Sequence, residues 1–489
     1  MSAMWTLIVT HWGQILAIVS MVIAAVAAAH AAMTKDEVRA AIGWVGIIIL
    51  SPFIGAALYA IAGINRIRGV SLAAERAAAG RAVLEHTRFD ATDSFIDARF
   101  GPRFVALKTA GDRITHHVLT TANAVTMIES GDEAYAAMIA AIASAQRSVI
   151  LETYIFDRDP IGLRVADALI EAARRGIAVR VLIDAVGARY SVPSIVGYLQ
   201  KGGVPTDVFN GSIIMGLRLP YANLRTHRKI LVADGTVAFM GGMNIRQAFT
   251  AEFAGTNMAR DTHFRIDGPV VADIFSVAAE DWYFASGERL QGDTWHIAFD
   301  AAGDPGSPML MRALPSGPDA SLEANHKMLM AAFSVARQSI RIMSPYFLPD
   351  RELISALTTA ARRGVNIDIV VPSANNLVLV DRAMTAQFDQ VLRSYCKVWR
   401  AQGLFNHSKL LVVDSTWAFI GSSNLDPRSL RLNFEIDLEV LDPAFAEKIE
   451  ARIESAIGSA KEVTLPQLRQ RPFLVRLIDR ILWLGSPYL

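Results

Sequence analysis

The residues best suited to chemistry in this sequence occur in two copies of one pattern, H-x-K-x-x-x-x-D. Each copy continues into a glycine turn that ends in asparagine. The residues concerned are His227, Lys229, Asp234 and Asn244 in the first copy and His407, Lys409, Asp414 and Asn424 in the second. Both the histidines and the asparagines are separated by 180 residues between the copies. A motif repeated at one constant spacing indicates a duplicated structural unit.

These residue types fit the cleavage of a phosphodiester through a covalent phosphohistidine. One imidazole attacks phosphorus, and the other donates a proton to the leaving oxygen and then takes one from the incoming alcohol. The lysines can neutralise the nonbridging oxygens, while Asn244, Asn424 and Ser422 are predicted to bind the phosphate. Because the two imidazoles need opposite protonation states near pH 7, we expect them to titrate as a coupled pair.

Four acidic residues complete the predicted site. Asp261 and Glu435 follow the two motifs, and we predict that they orient the histidines and fix their tautomers. Asp234 and Asp414 belong to the catalytic motif but end apolar runs where turns begin, so their main predicted role is to hold the motif's shape. The motif offers lysine and asparagine rather than cysteines or paired carboxylates, so no catalytic metal and no other cofactor are expected.

The elements that must position these residues also occur twice. In each half an apolar strand precedes a helix, and the helix ends at Gly176 or Gly364 before another apolar strand. The motif strand follows, and its two-residue period places His and Lys on one face. Alternating strands and helices predict an α/β fold of two tandem layered repeats that form a pseudo-two-fold pair.

Composition narrows the class of partner. The 489-residue chain has 48 basic and 47 acidic residues and a net charge of +1, so no basic field favours nucleic acid. The single Cys396 excludes an internal disulfide. Hydrophobic residues make up 52% and the mean hydropathy is +0.31, which is high for a soluble protein. The surplus lies in the first 65 residues.

Two uncharged stretches at the front predict a membrane hairpin. Trp5–Ala32 precedes the first charged residue, Lys35, and Ala40–Asn65 follows a short turn. About 20 apolar residues suffice to cross a bilayer. A cleaved signal peptide and buried core helices are the alternatives. The absence of a basic leader argues against the first, and the lack of polar faces argues against the second.

The charges beside the hairpin predict its orientation. The segment after the second stretch has more arginines than the turn has basic residues, and these are Arg66, Arg68, Arg76 and Arg81. The positive-inside rule then places the catalytic repeats on the cytoplasmic side of the membrane. Two further segments carry apolar residues. A loop at 211–221 and a basic amphipathic helix at 472–489 are each predicted either to touch lipid or to pack on the domain.

The chain resembles the phospholipase D superfamily and, within it, bacterial cardiolipin synthases of the phospholipase D type. Besides the doubled motif, the resemblance rests on the segments Glu152–Phe156, Asn223–Lys229, Ser344–Asp350, Gly421–Ser429, Leu432–Glu435 and Trp483–Leu489. It implies that two phosphatidylglycerol molecules, or related phospholipids, become cardiolipin and glycerol without a nucleotide. It also implies that His227 is the nucleophile, that His407 is the acid and base, and that the chain resides in a bacterial inner membrane.

The resemblance and the patterns together predict five parts. They are a two-span transmembrane hairpin at 1–66, a helical connector at 67–101, phospholipase D-like repeats at 102–300 and 301–465, and an amphipathic C-terminal helix at 466–489. Three rival functions remain open at this point: a hydrolytic phospholipase D that releases phosphatidic acid, a phosphodiesterase acting on nucleic acid, and a non-enzymatic membrane scaffold.

Overall fold

The computed structural model describes residues 10–35, 37–63, 89–210, 224–297 and 307–486. The predicted loop at 211–221, most of the predicted connector and the four arginines that set the orientation lie outside these residues. Contacts divide the chain into two compact units, Met1–Gly69 and Val70–Leu489. Each unit is therefore described by itself.

The first unit is built of apolar helices. Helix α1, Trp12–Thr34, has 23 residues and a mean hydropathy of 2.3, and among the described residues it is the helix long and apolar enough to cross a membrane. The second apolar stretch is divided into α2 (Val38–Leu50), α3 (Pro52–Leu58) and a π-helical turn (Tyr59–Gly63). Pro52 lacks an N–H and cannot continue the preceding helix. A second crossing therefore stays a prediction.

The second unit contains two sheets with the same strand pattern. The first sheet has the order β1-β8-β7-β6-β2-β3-β4. Its strands are β1 (Ala124–Ile128), β2 (Ser148–Thr153), β3 (Ala178–Asp184), β4 (Thr206–Phe209), β6 (Lys229–Ala233), β7 (Val237–Gly241) and β8 (His263–Asp267). The motif strand β6 lies antiparallel between β2 and β7, while β2 and β3 are parallel.

The second sheet has the order β16-β12-β11-β10-β13-β14-β15-β5, and β9 also pairs with β15. Its strands are β5 (Arg225–Thr226), β9 (Leu310–Ser316), β10 (Ser339–Met343), β11 (Asn366–Pro372), β12 (Lys397–Ala401), β13 (Leu410–Val413), β14 (Trp417–Gly421), β15 (Asn433–Leu441) and β16 (Lys461–Val463). The motif strand β13 lies between β10 and β14, the same place that β6 has in the first sheet. This match confirms the predicted α/β fold with tandem repeats.

Helices pack on these sheets. They are α4 (Asp93–Phe100), α5 (Pro102–Ile114), α6 (Gly131–Ser144), α7 (Pro160–Arg174), α8 (Ile195–Lys201), α9 (Ala251–Ala254), α10 (Val270–Ser286), α11 (Ala324–Val335), α12 (Arg351–Arg362), α13 (Val378–Leu392), α14 (Pro427–Arg431), α15 (Pro443–Gly458), α16 (Leu465–Gln470) and α17 (Phe473–Leu484). Short 3₁₀ turns occur at Gly187–Arg189, Gln247–Phe249, Gly255–Asn257 and Asp293–Trp295.

The helices before the central strands end where the sequence predicts, and the structure shows how they begin. Asp159 and Asp350 cap α7 and α12 by accepting hydrogen bonds from backbone N–H groups of the first turn. Gly176 and Gly364 follow these helices with φ of 88° and 95°, a conformation that glycine adopts without a Cβ penalty. Each helix can therefore stop and return the chain to the sheet as a parallel strand.

One packing relation does not follow chain order. Helices α4 and α5 precede the first sheet, yet their buried side chains, among them Ile96, Phe104 and Leu107, belong to the apolar core of the second sheet. Arg103 of α5 also forms an ion pair with Asp414. The first repeat's own core begins at Ile128. A first repeat that starts at residue 102, as the sequence predicts, therefore includes a helix, α5, that packs on the core of the second repeat.

Candidate active site

Hydrogen bonds between the repeats bring the two motifs together. In the second sheet, Arg225 and Thr226 pair in parallel with Asn433 and Phe434, and the N–H of His227 donates to the carbonyl of Phe434 at 2.8 Å. A matching bridge joins Arg260 to Asn406, and the N–H of His407 donates to the carbonyl of Arg260 at 2.7 Å. Each histidine is therefore fixed beside a backbone segment of the opposite repeat.

The histidine–acid pairs are crossed as a result. Nδ1 of His227 lies 3.0 Å from Oε2 of Glu435, and Nδ1 of His407 lies 2.9 Å from Oδ2 of Asp261. Both carboxylates are fully buried. Since a carboxylate only accepts hydrogen bonds, each Nδ1 carries the hydrogen; this leaves Nε2 of His227 for chemistry, whereas Nε2 of His407 lies 3.2 Å from Nζ of Lys409. The sequence predicted both acids as orienting residues, but it did not predict that each serves the histidine of the other repeat.

Burial sets the protonation of the histidines. It lowers the pKa of His407 to about 4, and the neighbouring Lys409 adds to this effect while Asp261 opposes it. Burial also lowers the pKa of His227, partly offset by Glu435. Both rings are therefore neutral near pH 7, which suits a nucleophile. A bound phosphate anion would raise both pKa values and so favour the proton that a general acid needs.

The two lysines are buried beside the histidines. Lys229 and Lys409 each donate to the carbonyl of their own histidine, and Nζ of Lys409 also lies 2.9 Å from Nδ1 of His407. Burial lowers the pKa of Lys229 to about 7 and that of Lys409 to about 8. Positive charge held against desolvation in this way is stabilised by an anion, so the pair is suited to a bound phosphate.

Glu435 has a network of its own. Ser422 Oγ donates to its Oε2 at 2.6 Å, and Asn433 Nδ2 donates to its Oε1 at 3.2 Å. Burial alone would raise the pKa of Glu435, but His227, Lys229 and Ser422 together hold it below its ordinary value. The carboxylate therefore stays ionised. Ser422, predicted to bind the phosphate, does not line the cavity and instead supports the partner of His227.

The two predicted asparagines line the cavity. Oδ1 of Asn244 accepts from the N–H of Ile155 at 3.1 Å, which leaves its amide nitrogen for a ligand. Asn424 is 5% exposed, and within the described part of the chain its Oδ1 has no hydrogen-bond partner. Because a buried amide without partners is costly, its position favours a polar ligand in the cavity.

The motif aspartates lie away from the cavity. Asp234 accepts hydrogen bonds from the backbone N–H groups of Gln146, Arg147 and Ser148 at 2.8, 2.7 and 3.0 Å. Asp414 binds the equivalent amides of Arg337, Gln338 and Ser339. Both aspartates have positive φ, 54° and 53°. These contacts agree with the predicted structural role, since each aspartate ties the end of its motif strand to the start of the repeat's first central strand.

A cavity of about 580 Å³ receives side chains from both repeats. Its lining includes His227, Asn244, Tyr154, Arg225 and Arg246 from the first repeat and His407, Asn424, Tyr346 and Arg428 from the second. Both predicted histidines and both predicted asparagines therefore face one space. A phosphodiester in it can meet a nucleophile, a proton donor and amide groups together.

Sequence reasoning missed the tyrosines and arginines of this lining. The ring of Tyr154 lies 5.2 Å from that of His227, and the ring of Tyr346 lies 6.1 Å from that of His407. The two tyrosines occupy corresponding places in the two repeats, in segments that match in sequence. This correspondence is the signal that could have identified them. A lone arginine has no such signal. Arg225, Arg246 and Arg428 are identified as lining residues only by the fold.

The described acidic and histidine residues that lie close enough together to share a metal ion are away from this cavity. Among the described residues, the group close enough to share an ion is His326, Asp350 and Glu352, which does not line the cavity. His326 Nε2 already lies 2.9 Å from Asp350, and Arg431 also approaches Asp350. These groups partner one another, so the cluster gives no reason to assign a metal.

The crossed pairs, the two lysines and the tandem sheets define the class of phospholipase D-like proteins. A solved phosphatidylserine synthase from Haemophilus influenzae has this fold, with a TM-score of 0.60 and 16% identity over 78% of this chain and all of that one. The family described as "Cardiolipin synthase, PLD-like domain" matches residues 138–275 and 329–457, and the family described as "Phospholipase_D-nuclease N-terminal" matches 22–63.

Curated relatives extend this match to nearly the whole chain. Cardiolipin synthase A of Pseudomonas aeruginosa is 31% identical over 467 residues, which cover 95% of this chain and 94% of that protein. Cardiolipin synthase of Alkalihalophilus pseudofirmus is 33% identical over 369 residues, with 74% and 72% covered. The chain belongs to the cardiolipin synthase family of phospholipase D-like enzymes.

Proposed function

We propose that the protein is a cardiolipin synthase that transfers a phosphatidyl group between two phosphatidylglycerol molecules and releases glycerol. The observation that carries this proposal is the pair of crossed histidine–acid contacts at one cavity, in a chain whose relatives are cardiolipin synthases over most of their length. Phospholipids are the substrates of the family, and this chain has the apolar helix needed to associate with a membrane.

In the first half-reaction, Nε2 of His227 attacks the phosphorus of one phosphatidylglycerol. The bond from phosphorus to the terminal glycerol oxygen breaks, and His407 gives that oxygen its proton. A phosphatidyl group is left on His227. Lys229 and Lys409 balance the charge that develops on the nonbridging oxygens, and Glu435 stabilises the cationic imidazole of His227.

In the second half-reaction, His407 removes the proton from a glycerol hydroxyl of the second phosphatidylglycerol. The resulting oxygen attacks phosphorus, and the bond from phosphorus to His227 breaks. The product has two phosphatidyl groups on one glycerol. His227 is taken as the nucleophile from the family resemblance. The surroundings of His227 support this choice. Its partner Glu435 accepts more side-chain hydrogen bonds than Asp261 does, and Glu435 stabilises the cationic form of His227.

The charge of the cavity supports transfer to a second lipid over hydrolysis. Arg225 and Arg428 line the cavity together with Asp426, and among the described residues neither arginine makes a direct ion pair, although Asp184 lies near Arg225 and Asp426 near Arg428. In this mechanism Lys229 and Lys409 balance the negative charge of one phosphodiester. Two more guanidinium groups suit a second phosphate, which an acceptor phosphatidylglycerol has and water does not.

The proposal includes the placement of the chain. The first 66 residues form a two-span hairpin in a bacterial inner membrane, and the repeats face the cytoplasm. The support is the apolar composition of both stretches and the arginines that follow them. A membrane anchor holds the site near lipid alcohols and so raises their effective concentration against water. The near-neutral net charge supports a function without nucleic acid.

Product analysis tests the proposal. Purified full-length protein is incubated with vesicles of defined phosphatidylglycerol, and lipids and released glycerol are separated by chromatography and mass spectrometry. We expect cardiolipin and glycerol in equal amounts, and none from a variant with both His227→Asn and His407→Asn. Phosphatidic acid as the main product would establish a hydrolytic phospholipase D instead. Cleavage of DNA by the wild type but not the variant would establish a nuclease.

A further inference from the structure

The C-terminal helix α17 is turned with its apolar side outward. Its exposed residues are Phe473, Leu474, Val475, Leu477, Ile478, Ile481 and Leu484, with 36 to 72% of each exposed. Its buried face contains Asp479, which forms ion pairs with Arg382 and Arg471 at 2.7 Å each. A helix on a protein in water normally has the reverse arrangement. The sequence left open whether this helix packs on the domain or touches lipid, and the structure permits both at once.

Contacts within the second repeat hold the helix in this orientation. Trp483 Nε1 donates to Oε1 of Gln387 on α13 at 2.6 Å. Leu482 and Trp483 pack against the apolar core of the second sheet. Asp479, Leu482 and Trp483 follow a helical spacing of three and four residues, so they lie on one face. The apolar residues outside this face cannot turn inward without breaking the ion pairs of Asp479.

Exposed apolar residues also lie at the active-site cavity, at the start of α13. Leu377, Val378 and Leu379, where α13 begins, are 46, 67 and 54% exposed. Leu377 and Val380 also line the cavity, as does Ser486 just beyond α17. An apolar surface that is continuous with a lipid-processing cavity would let a lipid pass from a bilayer to the histidines without crossing water.

Basic residues accompany the apolar ones. A groove of about 190 Å³ between α13 and the C-terminal helices is lined by Arg469, Arg471, Arg476 and Arg480, together with Phe473 and Leu477. The acids at this groove are already paired, Asp389 with Arg469 and Asp479 with Arg471. Arg476 and Arg480 are exposed. Guanidinium groups beside exposed apolar side chains match the anionic headgroups and acyl chains of a phospholipid surface.

We propose that α17 and the start of α13 form a second membrane contact, separate from the N-terminal helices, that docks the cavity mouth on an anionic phospholipid bilayer. The surface takes the bilayer itself as its partner. This docking does not depend on whether the cavity catalyses phosphatidyl transfer or hydrolysis, so the inference is independent of the proposed function.

Fluorescence quenching in the full-length protein tests the docking. The native Cys396 is buried, and it is replaced by serine so that a fluorophore can be placed at Ile481→Cys or, as a control, at Ser144→Cys. Ser144 is exposed at the end of α6, near the Asp234 turn and outside the cavity lining. In phosphatidylglycerol vesicles whose lipids have nitroxides on their acyl chains, we expect the label at 481 to lose at least about half its fluorescence and the label at 144 to lose none.

An equal fractional loss of fluorescence at positions 481 and 144 would overturn the proposal. Both labelled proteins must first be shown to unfold at the wild-type temperature. A second experiment distinguishes contact with the bilayer from contact with a second copy of the protein. The protein is diluted until each vesicle holds at most one chain. If quenching at 481 is lost under this dilution, the surface is assigned to a dimer interface instead.

A charge reversal tests the anionic partner. Arg476→Glu with Arg480→Glu should reduce quenching at 481 in phosphatidylglycerol vesicles by at least about two-fold, while Arg174→Glu on the first repeat should not. Arg174 is an exposed helix arginine like the other two. Equal quenching in neutral phosphatidylcholine vesicles would contradict the requirement for anionic lipid. Because quenching does not depend on turnover, an inactive protein that still docks would refute the proposed function and leave this inference standing.

Discussion

The two repeats have the same motif but support their orienting acids differently. Strand register makes Asp261 and Glu435 equivalent, since each lies two residues before the partner of a turn glycine, Gly241 or Gly421. In the first repeat Gly242 follows that glycine, and a Cβ there would lie 2.3 Å from Oδ1 of Asp261. The second repeat has Ser422 at this place, and its hydroxyl donates to Glu435.

The neighbouring strand position also differs between the repeats. In the first it is His263, whose pKa burial lowers to about 4 and whose buried Nδ1 has no hydrogen-bond partner within the described residues. In the second it is Asp437, whose pKa burial raises to about 7 although Ser423 donates to it. The repeat that supports His227 therefore contributes more acidic and hydroxyl groups than the repeat that supports His407. The surroundings of the two motifs are therefore unequal, which fits the proposed division into a nucleophile and a proton carrier.

Loss of either histidine is the largest expected effect and tests whether the halves differ in role. His227→Ala or His407→Ala should lower turnover by at least ~10³-fold, about 4 kcal/mol of barrier, measured with purified protein. Rapid denaturation in detergent at mildly alkaline pH, where a phosphorus–nitrogen bond survives, should leave label from phosphate-labelled phosphatidylglycerol on the wild-type polypeptide and none on the His227 variant. Near-normal turnover in either variant would refute the mechanism, and label retained on the His227 variant would make His407 the nucleophile.

Removing the orienting acids should have the next largest effect and tests the crossed pairing. Glu435→Gln and Asp261→Asn each lose the charge that holds the reactive tautomer, so kcat should fall by roughly 10²–10⁴-fold. Glu435 raises the pKa of His227, and Asp261 raises that of His407. The nucleophile must be neutral and the acid protonated.

The pH profile of kcat, which reports the substrate complex in which the mechanism needs neutral His227 and protonated His407, then separates the two variants. Without Glu435, His227 keeps its neutral form to lower pH, so the acid limb should move to lower pH. Without Asp261, His407 loses its proton at lower pH, so the alkaline limb should move down instead. The reverse assignment of limbs would contradict either the crossed pairs or the roles given to the two histidines.

Ser422 should have the smallest effect and sharpens the comparison between the repeats. Ser422→Ala removes one hydrogen bond to a charged partner, which corresponds to about 1.5–3 kcal/mol, or roughly 10–150-fold in kcat if it acts fully in the transition state. KM should change little because the hydroxyl does not line the cavity. The control is Ser423→Ala, which removes a neighbouring hydroxyl that contacts Asp437 rather than Glu435. A rise in KM alone would return Ser422 to the phosphate-binding role that the sequence predicted.

Local patterns account for what sequence analysis predicted correctly. Strand and helix order in each repeat follows from apolar periodicity and from glycines such as Gly176 and Gly364, which act within a few residues. The expected alternation of His227 and Lys229 on one strand is the exception, because β6 begins only at Lys229 and β13 at Leu410, so both histidines precede their strands. The turn role of Asp234 follows from its residue type and place. None of these inferences needs to know which distant segment lies alongside.

What the sequence missed depends on distant segments. The packing of α5 on the second core joins residues more than 200 positions apart, as Arg103 and Asp414 show. The division of the second apolar stretch at Ser51 was not predicted, although Pro52 was visible, because proline is tolerated in membrane helices. The outward apolar face of α17 depends on Arg382, which the sequence gave no reason to place near Asp479.

By itself the sequence determined the chemistry, because the types and spacing of two histidines, two lysines and two asparagines limit what a site built from them can do. Only the tertiary structure decided that each histidine is served by the acid of the other repeat and that both face one cavity. The physical reason is that the deciding hydrogen bonds, from His227 to Phe434 and from His407 to Arg260, join strand edges of different repeats. Such pairing is fixed by how two folded sheets meet and leaves no periodic trace along the chain.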